Sequence, residues 1–293
     1  MRPPPLRDGD LVALVAPSSP FDVERYQLGA AWLKERHPLR VRDDLLARAG
    51  FLAGDDARRL AELRDALADP AVRAIVAARG GYGATRISAQ IDWTALRRDP
   101  KWIVGFSDVT AFHVECSKVG VASLHGAMVA TLGAAGDAAR ARWIDALAGG
   151  ALPAWTGLES IVGGTAHGPA FGGNLALLEA CAAAGRLAVP DGAVLFLEDC
   201  TERPYRLDRM LTALLVGGHL ARVAAVVLGD FTDCPPGPDG IAAAEVLRER
   251  LSTLGVALVA GAPFGHGARN APWIVGGEVE VESAGDRATV RFA

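Results

Sequence analysis

Two periods of apolar spacing run through the chain. Leu11–Ala16 (LVALVA) is an unbroken apolar run closed by Pro17-Ser18-Ser19-Pro20, which predicts a buried strand feeding a loop. Asp22–Arg36 sets Val23, Tyr26, Leu28, Trp32 and Leu33 on one side and predicts a helix. Asp55 stands where it can cap another, in which Leu60, Leu63 and Leu67 recur at helical spacing until Asp69-Pro70 stops it. Ala74–Ala78 (AIVAA) is a second strand ending at Arg79-Gly80-Gly81-Tyr82-Gly83; Trp102–Gly105 (WIVG) is a third, followed by a helix over Val109–Lys118. Strands separated by helices predict a parallel sheet with crossover connections, whose ligand-binding loops gather at the carboxyl ends of the strands.

Gly149–Gly173 breaks the pattern. It is rich in Gly, Ala and Thr, carries Pro153 and Pro169, and has no clear period. It reads as a linker, residues 151–168, between an α/β domain over 1–150 and a smaller α/β domain over 169–293. In the second domain the pattern predicts a helix from about Asn174, a strand at Ala193–Glu198 and a helix at about Tyr205–Val216. A strand at Val223–Leu228, a helix at Ile241–Leu254 and a strand at Val256–Ala260 follow. Glu278–Glu282 and Ala288–Phe292 alternate as a terminal strand pair.

Composition narrows the function classes. The 293 residues are 51% hydrophobic and 22% charged, enough for two cores without a metal or disulfide staple. The net charge is −4 with no Lys/Arg block, so nucleic acid is not an expected partner. Cys116, Cys181, Cys200 and Cys234 form no CxxC pair and read as reduced, mostly buried small hydrophobes. No signal-peptide pattern follows Met1-Arg2-Pro3-Pro4-Pro5, and no apolar run reaches the ~20 residues of a membrane span, so the expectation is a cytoplasmic protein with no membrane partner.

Candidate chemistry sits at the strand ends. Ser107, in Gly105-Phe106-Ser107-Asp108, lies at a strand-to-helix turn that exposes a hydroxyl and aims helix N-terminal N–H groups beside it. The alternative is that Ser107 or Asp108 is only a helix cap. The Arg79–Gly83 turn offers backbone N–H groups to an anion but matches neither dinucleotide nor P-loop spacing. Glu198 ends an apolar strand, where a carboxylate can orient an imidazole or simply pair with a nearby arginine. His266 stands between Gly265 and Gly267 after a strand, free to adopt unusual backbone angles and suited to act as a base near neutral pH. His125 is a rival base. No HExxH or clustered ligand set suggests a metal, and no cofactor is expected.

Together these segments resemble the LD-carboxypeptidase family of serine peptidases, which includes the microcin C immunity hydrolases. The resemblance runs from Gly9-Asp10-Leu11 and Ala16-Pro17-Ser18 through Phe51-Leu52-Ala53-Gly54, Ala78–Gly83, Gly105–Thr110 and Leu124-His125-Gly126. It continues through Gly172-Gly173-Asn174-Leu175, Leu195–Asp199, Pro204–Leu211 and Phe264–Gly267. It implies Ser107 as nucleophile, His266 as base and Glu198 as its orienting carboxylate. It also implies an oxyanion hole from the N–H of Asp108 and one from the Gly80-Gly81 turn, with Arg79, Gly80 and Asn174 as substrate contacts. The implied fold is an α/β domain plus a smaller domain with a β-barrel-like core, the site lying where the two meet, and the implied assembly is a homodimer. The implied reaction releases terminal D-Ala from murein tetrapeptide. An aminoacyl-nucleotide or peptide-amide substrate, as in the immunity branch, and a non-catalytic binding protein remain as alternatives. The absence of a long insertion in Gly149–Gly173 favours murein peptide, whereas Trp273 is bulkier than the resemblance leads one to expect and raises the question of substrate fit.

Overall fold

The computed structural model describes all 293 residues, which divide into two units: Met1–Gly150 with Pro272–Ile274, and Ala151–Ala271 with Val275–Ala293. In the first unit β1 (Leu11–Val15), β2 (Leu39–Arg40), β3 (Val72–Ala77), β4 (Trp102–Gly105) and β5 (Ser123–His125) lie parallel in the order β5-β4-β3-β1-β2. The residues of β1, β3 and β4 are almost all buried, which is why these strands read as continuous apolar runs rather than as alternations. The connecting helices are α1 (Val23–Lys34), α2 (Asp56–Ala68), α3 (Ala84–Ser88), α4 (Ala95–Arg98), α5 (Thr110–Lys118), α6 (Val129–Ala134) and α7 (Asp137–Ala148). Asp22 and Asp55 cap α1 and α2, accepting from Arg25 N and Arg58 N. The sixth strand of this sheet, Trp273–Val275, comes from far down the chain and lies beside β5.

The second unit is a closed seven-stranded barrel. Its elements are β6 (Trp155–Val162), β7 (Gly164–Asn174), α8 (Leu175–Ala183), β8 (Val194–Cys200), α9 (Pro204–Val216), β9 (Ala225–Thr232), α10 (Ala243–Ser252) and β10 (Ala257–Ala260). After Trp273–Val275, which is β11, come β12 (Glu278–Ala284) and β13 (Arg287–Phe292). The barrel order is β10-β6-β13-β12-β7-β8-β9, with β7, β8, β9 and β10 parallel and the remaining pairs antiparallel. Trp155, Phe196 and Phe264 interlock in its core, with half-buried Phe292 edge-on to Trp155.

The linker expected over 151–168 is not one. Residues 155–162 and 164–174 are β6 and β7, so the second unit begins at Ala151. These strands keep many positions exposed, and their glycines and threonines carry no apolar alternation to read. Trp273 also departs from expectation. It is fully buried, stacked on His125 at 4.9 Å between ring centroids, and therefore belongs to the core of the first unit rather than to a substrate surface. No helix is long and apolar enough to cross a membrane.

Candidate active site

In the first unit, three loops meet at the carboxyl ends of β1, β3 and β4. Ser107 follows β4 with φ 61°, one of three non-glycine residues in the left-handed region. Such a conformation costs a side-chain-bearing residue about 1–2 kcal/mol and persists where surrounding structure enforces it. Here the enforcement is visible. Phe106 before it is extended and buried, and Asp108 after it is fully buried in the turn that leads into α5. Oδ2 of Asp108 accepts the N–H of Ala84 at 2.7 Å, drawing the glycine loop after β3 against the Ser107 turn. Burial raises the Asp108 pKa, opposed by the Ser18 hydroxyl and the backbone donors around it.

The glycine loop is held from its other side by the loop after β1. Ser19 N donates to Gly80 O at 3.2 Å, and Ser19 Oγ accepts from Tyr82 N at 3.1 Å. Arg79 Nη1 donates to Pro20 O at 2.8 Å. Buried Arg59 bridges the two loops, donating to Pro17 O and, at 2.8 Å, to Gly83 O. Gly80 is packed so closely that a Cβ there would lie 3.0 Å from Ser107 Cβ, 3.2 Å from its Oγ and 3.4 Å from Asp108 N. Behind the turn, fully buried His113 spans 2.8 Å to Ser123 Oγ and 2.9 Å to Gly105 O. Because a carbonyl only accepts, Nε2 carries the proton and Nδ1 accepts from the hydroxyl, so the ring is neutral. Burial pushes its pKa down to about 4. His125, the rival base, is also fully buried, between Phe106 and Trp273.

In the second unit, β8 ends in Glu198-Asp199-Cys200, whose side chains alternate between faces. Glu198 is wholly buried, and its Oε2 lies 2.7 Å from His266 Nδ1. A carboxylate partner fixes the proton on Nδ1 and leaves Nε2 as the basic nitrogen. Gly265, at φ 120°, makes the approach feasible: a Cβ would lie 3.0 Å from Glu198 Cβ and 3.1 Å from its Oε2. Burial disfavours the imidazolium, but the Cys200 sulfur and the Glu198 carboxylate beside it outweigh burial and raise the His266 pKa.

Asp199 faces the opposite way. It accepts from Asn174 Nδ2 at 2.9 Å, Cys200 N at 2.8 Å and Ala176 N at 2.9 Å, and burial pushes its pKa up to about 6. Asn174 thus caps α8 through Oδ1 and ties β8 through its amide. Cys116 and Cys181 are buried, whereas Cys200 and Cys234 are half-buried; all four are free thiols. Cys200, read from sequence as a bland hydrophobe, lies against the catalytic candidate His266. Only strand alternation from Glu198 pointed to it.

A strained serine at a strand-to-helix turn and a carboxylate–imidazole pair are the parts of a hydrolase. The model of the LD-carboxypeptidase N-terminal domain matches residues 12–126, and that of the C-terminal domain matches residues 167–281. A putative carboxypeptidase of Synechocystis is 38% identical, covering 100% of this chain and 97% of the relative. The chain belongs to the LD-carboxypeptidase family. Its Ser107, Gly80 and Gly81 fall in the N-terminal family domain, and Asn174, Glu198 and His266 in the C-terminal one. The chain is also 31% identical to the murein tetrapeptide carboxypeptidase of Pseudomonas aeruginosa, covering 90% of this chain and 91% of that one. Among solved structures, the muramoyltetrapeptide carboxypeptidase of Oxalobacter formigenes superposes with a TM-score of 0.87 at 27% identity, over 97% of this chain and 98% of that one. The microcin C7 self-immunity protein MccF bound to aspartyl sulfamoyl adenosine superposes with a TM-score of 0.86 at 20% identity, over 99% and 98% of the two chains, a likeness of fold alone.

Proposed function

We propose that this LD-carboxypeptidase is a cytoplasmic serine hydrolase, working as a homodimer, that releases terminal D-Ala from murein tetrapeptide during peptidoglycan recycling. The observation that carries the reading is the Glu198–His266 pair at 2.7 Å, which prepares Nε2 to take a proton. Ser107 Oγ attacks the carbonyl carbon of the L,D bond while His266 Nε2 takes the hydroxyl proton. The oxyanion is met by the N–H groups of Asp108 and Gly81. Glu198 stabilises the imidazolium, which returns the proton to the departing D-Ala nitrogen as the C–N bond breaks. Water then attacks the acyl-enzyme, with His266 again as base, and Ser107 is regenerated. Arg79 and the Gly80 turn receive the substrate's terminal carboxylate, and Asn174 serves the site by holding Asp199 and the end of β8.

Mass spectrometry of tetrapeptide incubated with the protein tests this reading. Loss of one alanine is expected, and Ser107→Ala should lower the rate by several orders of magnitude. No release at high enzyme concentration overturns it. Turnover of an aminoacyl sulfamoyl nucleotide without turnover of tetrapeptide assigns the microcin-type substrate instead, and saturable binding with no turnover of either assigns a binding protein.

A further inference from the structure

Arg59, in the first turn of α2, is fully buried against the glycine loop that touches Ser107. A charge in that place is costly to the fold. Taking a guanidinium out of water is unfavourable, its Nε–H finds no acceptor, and the first turn of a helix disfavours cations. Apolar residues of similar volume commonly replace buried ion pairs without loss of stability, so packing alone does not account for this arginine. Its contacts do. Nη1 donates to Pro17 O in the loop after β1 and to Gly83 O at 2.8 Å, while Nη2 is held by Asp56. Gly83, at φ 133°, leaves the room for this approach: a Cβ there would lie 2.6 Å from Nη1. The same peptide unit is gripped at its other end. Asp108, next to Ser107, accepts the N–H of Ala84 at 2.7 Å and that of Gly83 as well. The Gly83–Ala84 peptide is thus fixed at its oxygen by a cation and at its nitrogen by a carboxylate. The charge of Arg59 also opposes the burial that disfavours the ionised Asp108.

We propose that Arg59 is a positioning residue for hydrolysis, locking the Gly80–Gly83 loop so that the Gly81 N–H keeps its aim on the developing oxyanion while the charge of Asp108 beside it is balanced. The inference rests on the oxyanion hole proposed above. The loop carries glycines at 80, 81 and 83, two of them at positive φ, and unrestrained glycines sample many conformations. Gly81 and Gly83 are two residues apart, so the clamp acts within about 7 Å of the donor. Preorganised donors stabilise charge that appears only in the transition state, so loosening the loop lowers kcat and leaves KM nearly unchanged.

The experiment is steady-state kinetics of D-Ala release from murein tetrapeptide by the wild-type protein, Arg59→Ala, Arg59→Lys and, as reference, Ser107→Ala. Arg59→Ala should lower kcat about 100-fold, the scale of losing one oxyanion donor or of a 1 Å displacement, with KM changed less than about threefold. Millimolar ethylguanidinium, which returns the missing fork to the site, should raise the kcat of Arg59→Ala at least about tenfold and leave the wild type and Ser107→Ala as they were. Arg59→Lys, which keeps the charge without the fork, should lose about tenfold. Wild-type kcat in Arg59→Ala, a loss that falls on KM instead, or a loss that ethylguanidinium does not restore overturns the positioning role while leaving the peptidase standing. Should Arg59→Ala fail to fold, Arg59→Lys decides, and wild-type kcat in that variant overturns the role. No D-Ala from the wild type overturns the hydrolytic reading and this one together.

Discussion

Replacing Gly80 by alanine adds one methyl group at the point where the glycine loop touches the serine turn. Gly80 is not among the glycines with positive φ, so its backbone accepts alanine without strain, and the effect is steric alone. The new Cβ would lie 3.0 Å from Ser107 Cβ and 3.2 Å from Oγ, against an ordinary contact of at least 3.4 Å. The serine must therefore retreat by about 0.4 Å, or the loop by as much. A misplacement of 1 Å costs on the order of 100-fold in rate, so this displacement predicts a loss in kcat of about five- to tenfold, near 1 kcal/mol in the barrier. Stability should change little: alanine restricts the unfolded chain by about 0.4–1 kcal/mol, offsetting the crowding, so Tm should stay within about 4 °C. Coupled detection of released D-Ala, with a calorimetric melt on the same samples, reads both quantities. A Gly80→Ala protein that keeps full kcat shows that Ser107 does not need its present position, and the nucleophile assignment fails with it.

Three further outcomes follow from the same geometry. Ser107→Gly, which relieves the left-handed strain, should melt about 2–4 °C above Ser107→Ala, and both should lose activity if Ser107 is the proposed nucleophile; equal melting temperatures would show that the turn stores no strain. His113 titrates at about 4 when folded and near 6.5 when unfolded, so between those values the unfolded chain binds the extra proton and stability falls as pH drops from 6.5 to 4, by about 3 kcal/mol in all. His113→Gln should flatten that dependence in urea titrations at pH 4.5 and 7, and an unchanged slope assigns the acid sensitivity elsewhere. Cys200→Ala removes a sulfur that helps raise the His266 pKa, so the acid limb of the kcat/KM profile should move to lower pH; a limb that stays in place means the thiol does not influence the base.

How much of this was legible in the sequence depends on whether the cause is local. The buried strands β1, β3 and β4 announce themselves as apolar runs because both faces are covered. Ser107, Glu198 and His266 stand out because strand ends and flanking glycines are local features. β5 and β11, three residues each, have no period to read and exist through their neighbours in the sheet. β6 and β7 were hidden by glycine and by exposure. Arg59, His113 and Asp199 could be given no role from the sequence for another reason: a buried polar side chain earns its place through tertiary partners, and nothing in its immediate sequence names them. Asn174 was noticed for its family motif, but its amide proved to be engaged with Asp199 and α8.

The excursion of residues 272–274 into the first sheet has a consequence for biosynthesis. A ribosome that has made residues 1–150 has not yet supplied the strand that covers β5, so the nascent sheet waits with an open edge and an unstacked His125 while more than a hundred further residues are added. Such an edge is a template for association with other chains. A gene fragment ending at Gly150 should therefore yield aggregated protein, and a fragment joined by a short connector to residues 272–275 should yield more of it in soluble form.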